Sequence, residues 1–401
     1  MTKSPIRNAL DEARVIVCAG TGGVGKTTIA AALALEAARS GRRTLVLTID
    51  PARRLANAFG LEILGSEPAR IALDLPAACA PGAPEPFLEV MMLSTRHAFD
   101  QLVHRLTPDP AARRRILDNR IYRHLSQALA GSSEYAAMAE VQALVETRRY
   151  DLIVVDTPPA EHALDFLRAP ARLQAFLDSR FFHALVRPAM SASRLSLRLF
   201  ARPLHRALGL LERIAGIGFL EDLTELLRAL DGLSSDLSER ARSIQSVLFG
   251  SETQFVLVCR ALAGSERSTQ DVMAGFGGLG AHLASLIVNR MQPFGGRISP
   301  AELLERCQGE ALAADLRILA DGIEPDPQAN DGAHPEHETA AAVLEHARAC
   351  LFEEQRFSAL AEAARASGIG CMRVAEQSAP LDRLDGLIEL ASQLTSGEPR
   401  R

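Results

Sequence analysis

Short apolar runs separated by longer helical stretches form the main pattern of the chain. Two runs rich in β-branched residues, Arg14–Ala19 (RVIVCA) and Thr44–Ile49 (TLVLTI), flank Thr27–Arg39. That middle stretch is rich in Ala and Leu and is followed by Gly41, a natural helix stop. A strand, a helix and a second apolar strand form a βαβ unit, and such units build parallel sheets. The pattern therefore predicts an α/β fold.

Further apolar runs predict a mostly parallel sheet of about seven strands. They lie at Phe87–Leu93, Leu152–Val155, Phe255–Cys259, Leu283–Val288 and, more weakly, Cys371–Val374. Long stretches of helical character interrupt them at about 95–149 and 170–250. We therefore expect one domain over residues 1–401 that carries an inserted helical subdomain. The acidic, Pro- and Gly-rich residues 321–338 are expected to form an exposed loop before a helix at about 339–366.

Composition and charge exclude several classes of protein. The net charge of −5 gives no global basic field for nucleic acid, and an aromatic content of 4% without Trp argues against base-stacking platforms. No stretch has the roughly 20 continuous apolar residues of a membrane span, and residues 1–20 do not follow the pattern of a signal peptide. The six Cys are scattered without a C-x-x-C pair, which favours a reduced cytoplasmic protein.

The strongest chemical signal is a Gly-rich motif directly between the first predicted strand and the first predicted helix. It fits the phosphate-binding pattern G-x-x-x-x-G-K-[ST] with one further Thr, and comprises Gly20, Thr21, Gly22, Gly23, Val24, Gly25, Lys26, Thr27 and Thr28. In this context the backbone N–H groups point at phosphates, Lys26 reaches the β- and γ-phosphates as a catalytic residue, and Thr27 is a Mg²⁺ ligand. Lys26 is one of two Lys beside 42 Arg, which indicates that Arg cannot replace it. The alternative is a Gly-rich turn without a ligand.

Two aspartates follow predicted strands on either side of this motif. Asp156 ends the run LIVVD, the usual place for the carboxylate that holds the Mg²⁺ shell through water, and Asp50 follows the strand ending at Ile49. The carboxyl ends of parallel strands meet at one edge, where open α/β sheets bind ligands. Asp50 and Asp156 are therefore expected to converge on the γ-phosphate. The alternative for each is an ordinary carboxylate at a strand end.

Three segments together resemble the ArsA family of deviant P-loop ATPases, which includes the arsenical-pump ATPase and the ATPase that delivers tail-anchored membrane proteins. They are GTGGVGKTT in the motif, DPARRLANAF at Asp50–Phe59 and DTPPAEHAL at Asp156–Leu164. The resemblance implies Mg²⁺-dependent ATP hydrolysis, a seven- or eight-stranded sheet with inserted helices, and a homodimer. It also implies a hydrophobic or membrane-protein client.

The resemblance assigns roles to individual residues. It implies that Asp50 positions the attacking water, that His162 belongs to the second nucleotide switch, and that Asn289 recognises adenine. An Asn side chain can satisfy both a donor and an acceptor on a base edge. The alternatives are a helix-packing imidazole for His162 and a strand-end turn residue for Asn289.

Some positions depart from the family pattern. The family's extra lysine, one residue after the first loop Gly, reaches the nucleotide across a dimer; here it is Thr21, and Arg53 or Arg54 is the candidate replacement. Glu161 stands where the second switch usually has Gly. The sequence has neither the C-x-x-C that clamps some family dimers nor a close Cys cluster for arsenite, which disfavours arsenite-stimulated pumping.

Two weaker features have more than one interpretation. Residues 179–211 contain six Arg and no Asp or Glu, and four of the Arg step along one helix face: Arg194, Arg198, Arg202 and Arg206. This segment is either a packed helix whose Arg stems cover apolar neighbours or a surface for a hydrophobic client or an anionic membrane. A second set, whose spacing matches no familiar zinc pattern, comprises His334, His337, His346 and Cys350.

The function that the sequence favours is an ATP-hydrolysing molecular switch built on Gly20–Thr28. One alternative is a nucleotide-binding adaptor or scaffold with little or no turnover, in which Thr21 and Glu161 mark lost catalysis. A small-molecule kinase is the weaker alternative, because no acceptor site is recognisable in the sequence.

Overall fold

The described residues cover the sheet and the helices that pack against it. In the computed structural model they are residues 5–49, 54–75, 85–107, 109–122, 132–157, 163–179, 226, 234–295, 298–306, 335–377 and 384–396. Several residues singled out above lie outside them, namely Asp50, Arg53, Glu161 and His162. Most of the predicted insertion at 170–250 and most of the predicted loop at 321–338 lie outside them as well.

The described strands form one sheet. They are β1 (Val15–Gly20), β2 (Arg43–Thr48), β3 (Ala69–Arg70), β4 (Phe87–Met92), β5 (Leu152–Asp156), β6 (Thr253–Cys259), β7 (Leu283–Met291) and β8 (Gly370–Ala375). The spatial order is β3-β4-β2-β5-β1-β6-β7-β8. The short strand β3 pairs antiparallel with β4, and the other neighbouring strands pair parallel. The expected α/β fold with a mostly parallel sheet of seven or eight strands is therefore confirmed.

Twelve helices lie within the described residues. They are α1 (Pro5–Glu12), α2 (Lys26–Arg39), α3 (Arg54–Ala58), α4 (Thr95–Leu106), α5 (Pro110–Asp118), α6 (Ser132–Glu146), α7 (Ala163–Leu177), α8 (Ser234–Leu248), α9 (Ser265–Gly278), α10 (Pro300–Arg306), α11 (Pro335–Ala366) and α12 (Leu384–Ser396). In this part of the chain no helix combines the length and the apolar character that crossing a bilayer requires.

Helices cover both faces of the sheet, and each face has its own apolar core. Alternate residues of a strand point to opposite faces, so Val15 and Val17 of β1 join one core while Ile16 and Cys18 join the other. The first core includes residues of α6, α8, α9 and α11, and the second includes residues of α1, α2 and α12. Strands buried on both faces read as continuous apolar runs, which is why the sequence pattern located them.

Helix α2, which follows the Gly-rich motif, is enclosed on nearly all sides. Ten of its residues are buried, and six of those are Ala. Small side chains let the helix lie close to the sheet and to α12, which packs against it. The amino end of α2 is thereby held rigidly at the carboxyl edge of β1.

The amino edge of the sheet carries a cluster of charged residues, which we call the amino-edge cluster: Arg14, Arg42, Arg43 and Asp151. The Arg42 guanidinium donates to the main-chain oxygens of Leu10, Ala13 and Asp151, with 2.7 Å to Ala13. Arg43 donates to both carboxylate oxygens of Asp151, at 3.1 Å from Nε and 2.7 Å from Nη2. Hydrogen bonds from Arg43 hold the pKa of Asp151 below its ordinary value. These charges fix helix and strand ends to one another.

The structure differs from the sequence pattern in detail. Helix α11 begins at Pro335 rather than near residue 339, because proline suits the first turn of a helix, where its missing N–H needs no partner. The stretch predicted to be helical between β4 and β5 contains α4, α5 and α6. Strand β3 is only two residues long and leaves no recognisable pattern. The single-domain division with inserted helices stays a prediction.

Candidate functional site

The Gly-rich motif forms a loop between the end of β1 and the start of α2. Gly23 and Gly25 have φ angles of 75° and 96°, in the left-handed region that favours glycine. Gly20 is needed for a different reason, since a Cβ there would lie 2.1 Å from the main-chain oxygen of Val258 in β6. The loop thus keeps its backbone N–H groups close to any ligand at the first turn of α2.

Lys26 is folded over this loop. It is 8% exposed, and its Nζ donates a hydrogen bond to the main-chain oxygen of Thr21 at 3.0 Å. An ammonium carries three donors, so a bond within the loop leaves it able to contact phosphate oxygens as well. Thr21 itself is exposed at the start of the loop. The ammonium is therefore bonded to the start of the loop, and its contact with phosphates stays a prediction.

Two hydroxyl groups converge on the carboxylate of Asp156. Thr27 Oγ1 donates to Asp156 Oδ2 at 2.8 Å, and Thr48 Oγ1 donates to the same oxygen at 2.9 Å. The strand register explains the convergence, because β5 lies between β1 and β2 and pairs Asp156 with Cys18 on one side and Thr48 on the other. Asp156 is fully buried. Helix α2, strand β2 and strand β5 thus meet at one carboxylate oxygen.

This arrangement fits a hard cation. Thr27 gives its hydroxyl hydrogen to Asp156, which leaves the lone pairs of its oxygen for another partner. Oxygen ligands, with carboxylates and water, are those that Mg²⁺ prefers. Thr27 and Asp156 are therefore the residues here that could hold Mg²⁺, Thr27 directly and Asp156 through water.

Cys18 pairs with Asp156 in the sheet, but its thiol is not a candidate nucleophile. Burial, with the negative charge of Asp156 as a second cause, raises the pKa of its thiol well above the ordinary range. A thiol that stays protonated is a poor nucleophile. The main-chain oxygen of Cys18 accepts a hydrogen bond from Thr157 Oγ1 at 2.8 Å, which ties the residue after Asp156 to β1.

Asn289 lies on the other side of the loop, in β7. The sequence placed it at the end of a strand; in the structure β7 continues to Met291 but its register with β8 shifts between Val288 and Met291. Arg290, within this irregularity, has a φ of 56°. Asn289 is 7% exposed, and its Nδ2 donates to the main-chain oxygen of Val24 in the loop at 2.8 Å. A break in strand register can redirect a side chain. Here the side chain of Asn289 lies beside the phosphate loop.

A cavity of about 340 Å³ opens beside Asn289. It is lined by Gly25, Thr28, Asn289, Arg290, Ala375, Glu376, Gln377 and Leu390. Its far wall is the segment after β8, which Gln377 holds in place by donating to the main-chain oxygen of Ala375 at 2.8 Å and to Gln393 Oε1 at 3.1 Å. The cavity lies next to the phosphate loop and is bounded by polar groups that could read the edge of a base.

Several of these residues were missed in the sequence. Thr48 gave no signal because its importance depends on the pairing of β2 with β5. The residues Ala375–Gln377 could have been found, since they follow the weak predicted strand at Cys371–Val374 and the carboxyl ends of parallel strands share one edge. Leu390 comes from a helix that the sequence analysis did not single out.

The structure describes only some of the other candidates from the sequence. Asp50, Arg53, Glu161 and His162 lie outside the described residues, and Arg54 begins α3 with an exposed side chain. His346 Nε2 lies 3.6 Å from Cys350 Sγ on α11, while the side chains of His334 and His337 are not described. Within the described part of the chain no three His, Cys, Asp or Glu side chains form a metal-binding group.

A parallel sheet, a glycine loop closed by Lys26, and a hydroxyl–carboxylate pair at the next strand define a P-loop nucleotide-binding protein. A family model described as anion-transporting ATPase matches residues 13–297, more than half of the chain. The chain therefore belongs to the anion-transporting ATPase (ArsA) family, and the resemblance seen in the sequence is confirmed.

Named relatives match over part of their length. The chain is 28% identical to ATPase get3 of Aspergillus terreus over 263 residues, 65% of this chain and 68% of that protein. It is 29% identical to ATPase GET3 of Malassezia globosa over 174 residues, 43% and 47% of the two chains. A putative arsenical pump-driving ATPase of Halobacterium salinarum is 31% identical over 172 residues, 42% of this chain and 26% of that protein. The chain thus spans about half of the Malassezia relative and about two thirds of the Aspergillus relative.

Proposed function

We propose that this chain binds ATP with Mg²⁺ at the carboxyl edge of the sheet and hydrolyses it. The observation that carries the proposal is that the hydroxyls of Thr27 and Thr48 both donate to one carboxylate oxygen of Asp156. Thr27 directly follows the glycine loop, across which Lys26 bonds to Thr21. A carboxylate, a hydroxyl and an ammonium at the first turn of a helix are the groups that a triphosphate and its metal require. Membership of an ATPase family and the printed names of the relatives support the same activity.

Each residue has a proposed part in the reaction. Backbone N–H groups of the loop and the Lys26 ammonium hold the β- and γ-phosphates, and Thr27 with Asp156 holds the metal. Bound Mg²⁺ would neutralise charge that develops on the phosphate oxygens. Thr48 fixes the orientation of the Asp156 carboxylate by its hydrogen bond at 2.9 Å.

Asp50 is proposed to orient the attacking water. It follows β2 by two residues, and the residue between them in the chain, Ile49, donates its N–H to the main-chain oxygen of Asp156 at 3.2 Å. The segment that leads into Asp50 is thereby bonded to the residue proposed to hold the metal. The role of Asp50 as the residue that orients water is the one that the family resemblance implies.

Adenine is the base proposed for the cavity beside Asn289. After the bond from Nδ2 to Val24, the Asn289 amide retains one N–H and its carbonyl oxygen. A 6-aminopurine edge offers an acceptor and a donor that match these two groups. The cavity of about 340 Å³ lies within reach of the loop that would hold the phosphates.

The nucleotide cycle is proposed to act through a homodimer on a hydrophobic or membrane-protein client. Support comes from the family resemblance and from residues 179–211, which combine six Arg with many apolar residues and no acid.

A reducing cytoplasmic setting fits the four free thiols of the described residues: Cys18, Cys259, Cys350 and Cys371.

Phosphate release from ATP by the purified chain, with Mg²⁺, tests the activity. Lys26→Ala is expected to lower turnover about 10³-fold, because a positioned cation stabilises the charge of the transition state. Lys3→Ala, which removes the only other lysine of the chain, is the matched control and should retain the wild-type rate. Equal rates in the wild type and Lys26→Ala would refute hydrolysis at this site. Tight ATP binding by a wild type without turnover would instead favour the adaptor, in which Thr21 and Glu161 mark lost catalysis.

A further inference from the structure

The side chain of Asn289 contacts both the cavity proposed for the base and the phosphate loop. A residue that only recognised the base would not need the second contact. Asn289 lines the cavity proposed for the base, and its Nδ2 donates to the main-chain oxygen of Val24 inside the phosphate loop at 2.8 Å. The two residues are 265 positions apart in the chain, so this bond is a tertiary contact between β7 and the loop. Both partners are buried, which strengthens the bond relative to one in water.

This bond fixes the direction of one peptide group in the loop. In a trans peptide the C=O and the next N–H point in opposite directions. Holding the Val24 oxygen against β7 therefore aims the N–H of Gly25 away from β7. Backbone N–H groups of this loop are the donors that cradle phosphates, so their direction determines how well the loop binds an anion.

Gly25 is the residue that permits the contact. A Cβ at this position would lie 2.4 Å from Asn289 Nδ2, closer than any atoms of this kind can approach. Its φ of 96° is also one that side-chain-bearing residues rarely adopt. The absent side chain and the left-handed backbone together leave the space into which the Asn289 amide extends.

We propose that Asn289 is a positioning residue of the phosphate loop, in addition to any contact with the base. It holds the Val24–Gly25 peptide in the orientation that binds phosphate, and it does so whether or not a base fills the cavity. The inference rests on the proposed function, since it assumes that the loop binds a polyphosphate. It predicts that a ligand without base or ribose senses the loss of the Asn289 amide.

Inorganic tripolyphosphate with Mg²⁺ is the probe, because it keeps the phosphates and lacks the base and the ribose. Its affinity and that of Mg·ATP are measured by calorimetry for the wild type, Asn289→Ala and Asn289→Leu. The leucine variant keeps the number and branching of the side-chain non-hydrogen atoms, so together with Asn289→Ala it separates the lost amide from the effect of a cavity. Ser285→Ala is the matched control on the same strand, where a buried hydroxyl donates to the main-chain oxygen of Gly370 at 3.2 Å.

Both Asn289 variants are expected to bind tripolyphosphate and ATP at least about tenfold more weakly, while Ser285→Ala keeps both affinities. An Asn289 variant that loses affinity for ATP but binds tripolyphosphate like the wild type would overturn the inference and leave the proposed function standing. A wild type that binds neither ligand would refute the proposed function first, and the inference with it. These outcomes are distinguishable because the wild type is measured before any variant is compared.

Discussion

The two ends of strand β5 present the same residue type in opposite settings. Asp151 directly precedes the strand at the amino edge, and Asp156 ends it at the carboxyl edge. Asp151 accepts hydrogen bonds from the guanidinium and the backbone N–H of Arg43. Asp156 instead accepts from the hydroxyls of Thr27 and Thr48. One carboxylate accepts from a charged guanidinium, and the other accepts from two small hydroxyl groups.

The difference between these edges explains why we propose the nucleotide site at the carboxyl edge. A guanidinium has only donors, and in the amino-edge cluster those of Arg42 are directed at three main-chain oxygens. Thr27, which donates its hydroxyl hydrogen to Asp156, can still offer a lone pair to a cation. Gly20 and Gly25, where a Cβ would collide with Val258 and Asn289, let the loop pass close to β6 and β7. The amino edge thus uses its charges for stability, and the carboxyl edge keeps polar groups available for a ligand.

Exchanging each aspartate for asparagine should give the sharpest contrast. Asp156→Asn is expected to lower ATP turnover about 10²- to 10³-fold, because the neutral amide no longer orients the metal shell and the Thr27 hydroxyl. Asp151→Asn should leave turnover within about twofold, since its partners belong to the opposite edge. Steady-state phosphate release at saturating Mg²⁺ measures both. Similar losses in the two variants would show that the edges are not separate in function.

Removal of Arg42 should have the reverse effect. Arg42→Met leaves three main-chain oxygens without their donor and is expected to lower the free energy of unfolding by about 2–3 kcal/mol, with little change in turnover. Denaturant unfolding monitored by circular dichroism measures the change. Arg267→Met, which removes an exposed arginine, is the control and should stay within about 0.5 kcal/mol of the wild type. A marked loss of turnover in Arg42→Met would contradict a purely structural amino edge.

Two threonines on β2 provide a finer comparison. Thr48→Val removes one hydrogen bond to Asp156 with almost no change in volume, and is expected to lower turnover about tenfold through a misplaced carboxylate. Thr44→Val removes a hydroxyl from the same strand about 13 Å away, where it bonds the main-chain oxygen of Arg42. Turnover of the Thr44 variant should match the wild type. Equal turnover in the two variants would remove Thr48 from the site.

The smallest expected effect concerns pH. Hydrogen bonds from Arg43 lower the pKa of Asp151 in the folded chain, so the ionised pair contributes stability above the ordinary carboxyl pKa near 4. This contribution is lost as the pH falls through the lowered folded pKa. The stability gap between the wild type and Asp151→Asn should therefore be constant from pH 5 to 7 and shrink below pH 4. A gap that persists unchanged at pH 3 would show that the charge of Asp151 is not its source.

The sequence predicted the Gly-rich half of the candidate site because its signals are local. The spacing from Gly20 to Thr27 is contained in eight residues, and strand-end aspartates follow apolar runs that are easy to recognise. Sheet-edge geometry predicts that Asp156 lies beside the motif, and in the structure it accepts a hydrogen bond from Thr27. The roles assigned to these residues stay predictions until turnover is measured.

The remaining features depend on contacts that no local pattern contains. Thr48 matters because β2 is next to β5, and Arg42 because its guanidinium meets the ends of α1 and β5. The bond from Asn289 to Val24 needs both a register shift in β7 and the missing side chain of Gly25. Strand β3, with two residues, is too short for any periodicity.

Hydrogen–deuterium exchange with and without Mg·ATP tests most directly whether the carboxyl edge is the site of nucleotide binding. If nucleotide binds at the carboxyl edge, exchange should slow in Gly20–Thr28, around Asn289 and in Ala375–Gln377. Exchange in the amino-edge cluster of Arg14, Arg42, Arg43 and Asp151 should not change. Lys26→Ala should abolish the protection at the same nucleotide concentration. Protection confined to the amino-edge cluster, or a wild type with no protection in Gly20–Thr28 at saturating Mg·ATP, would contradict nucleotide binding at the carboxyl edge.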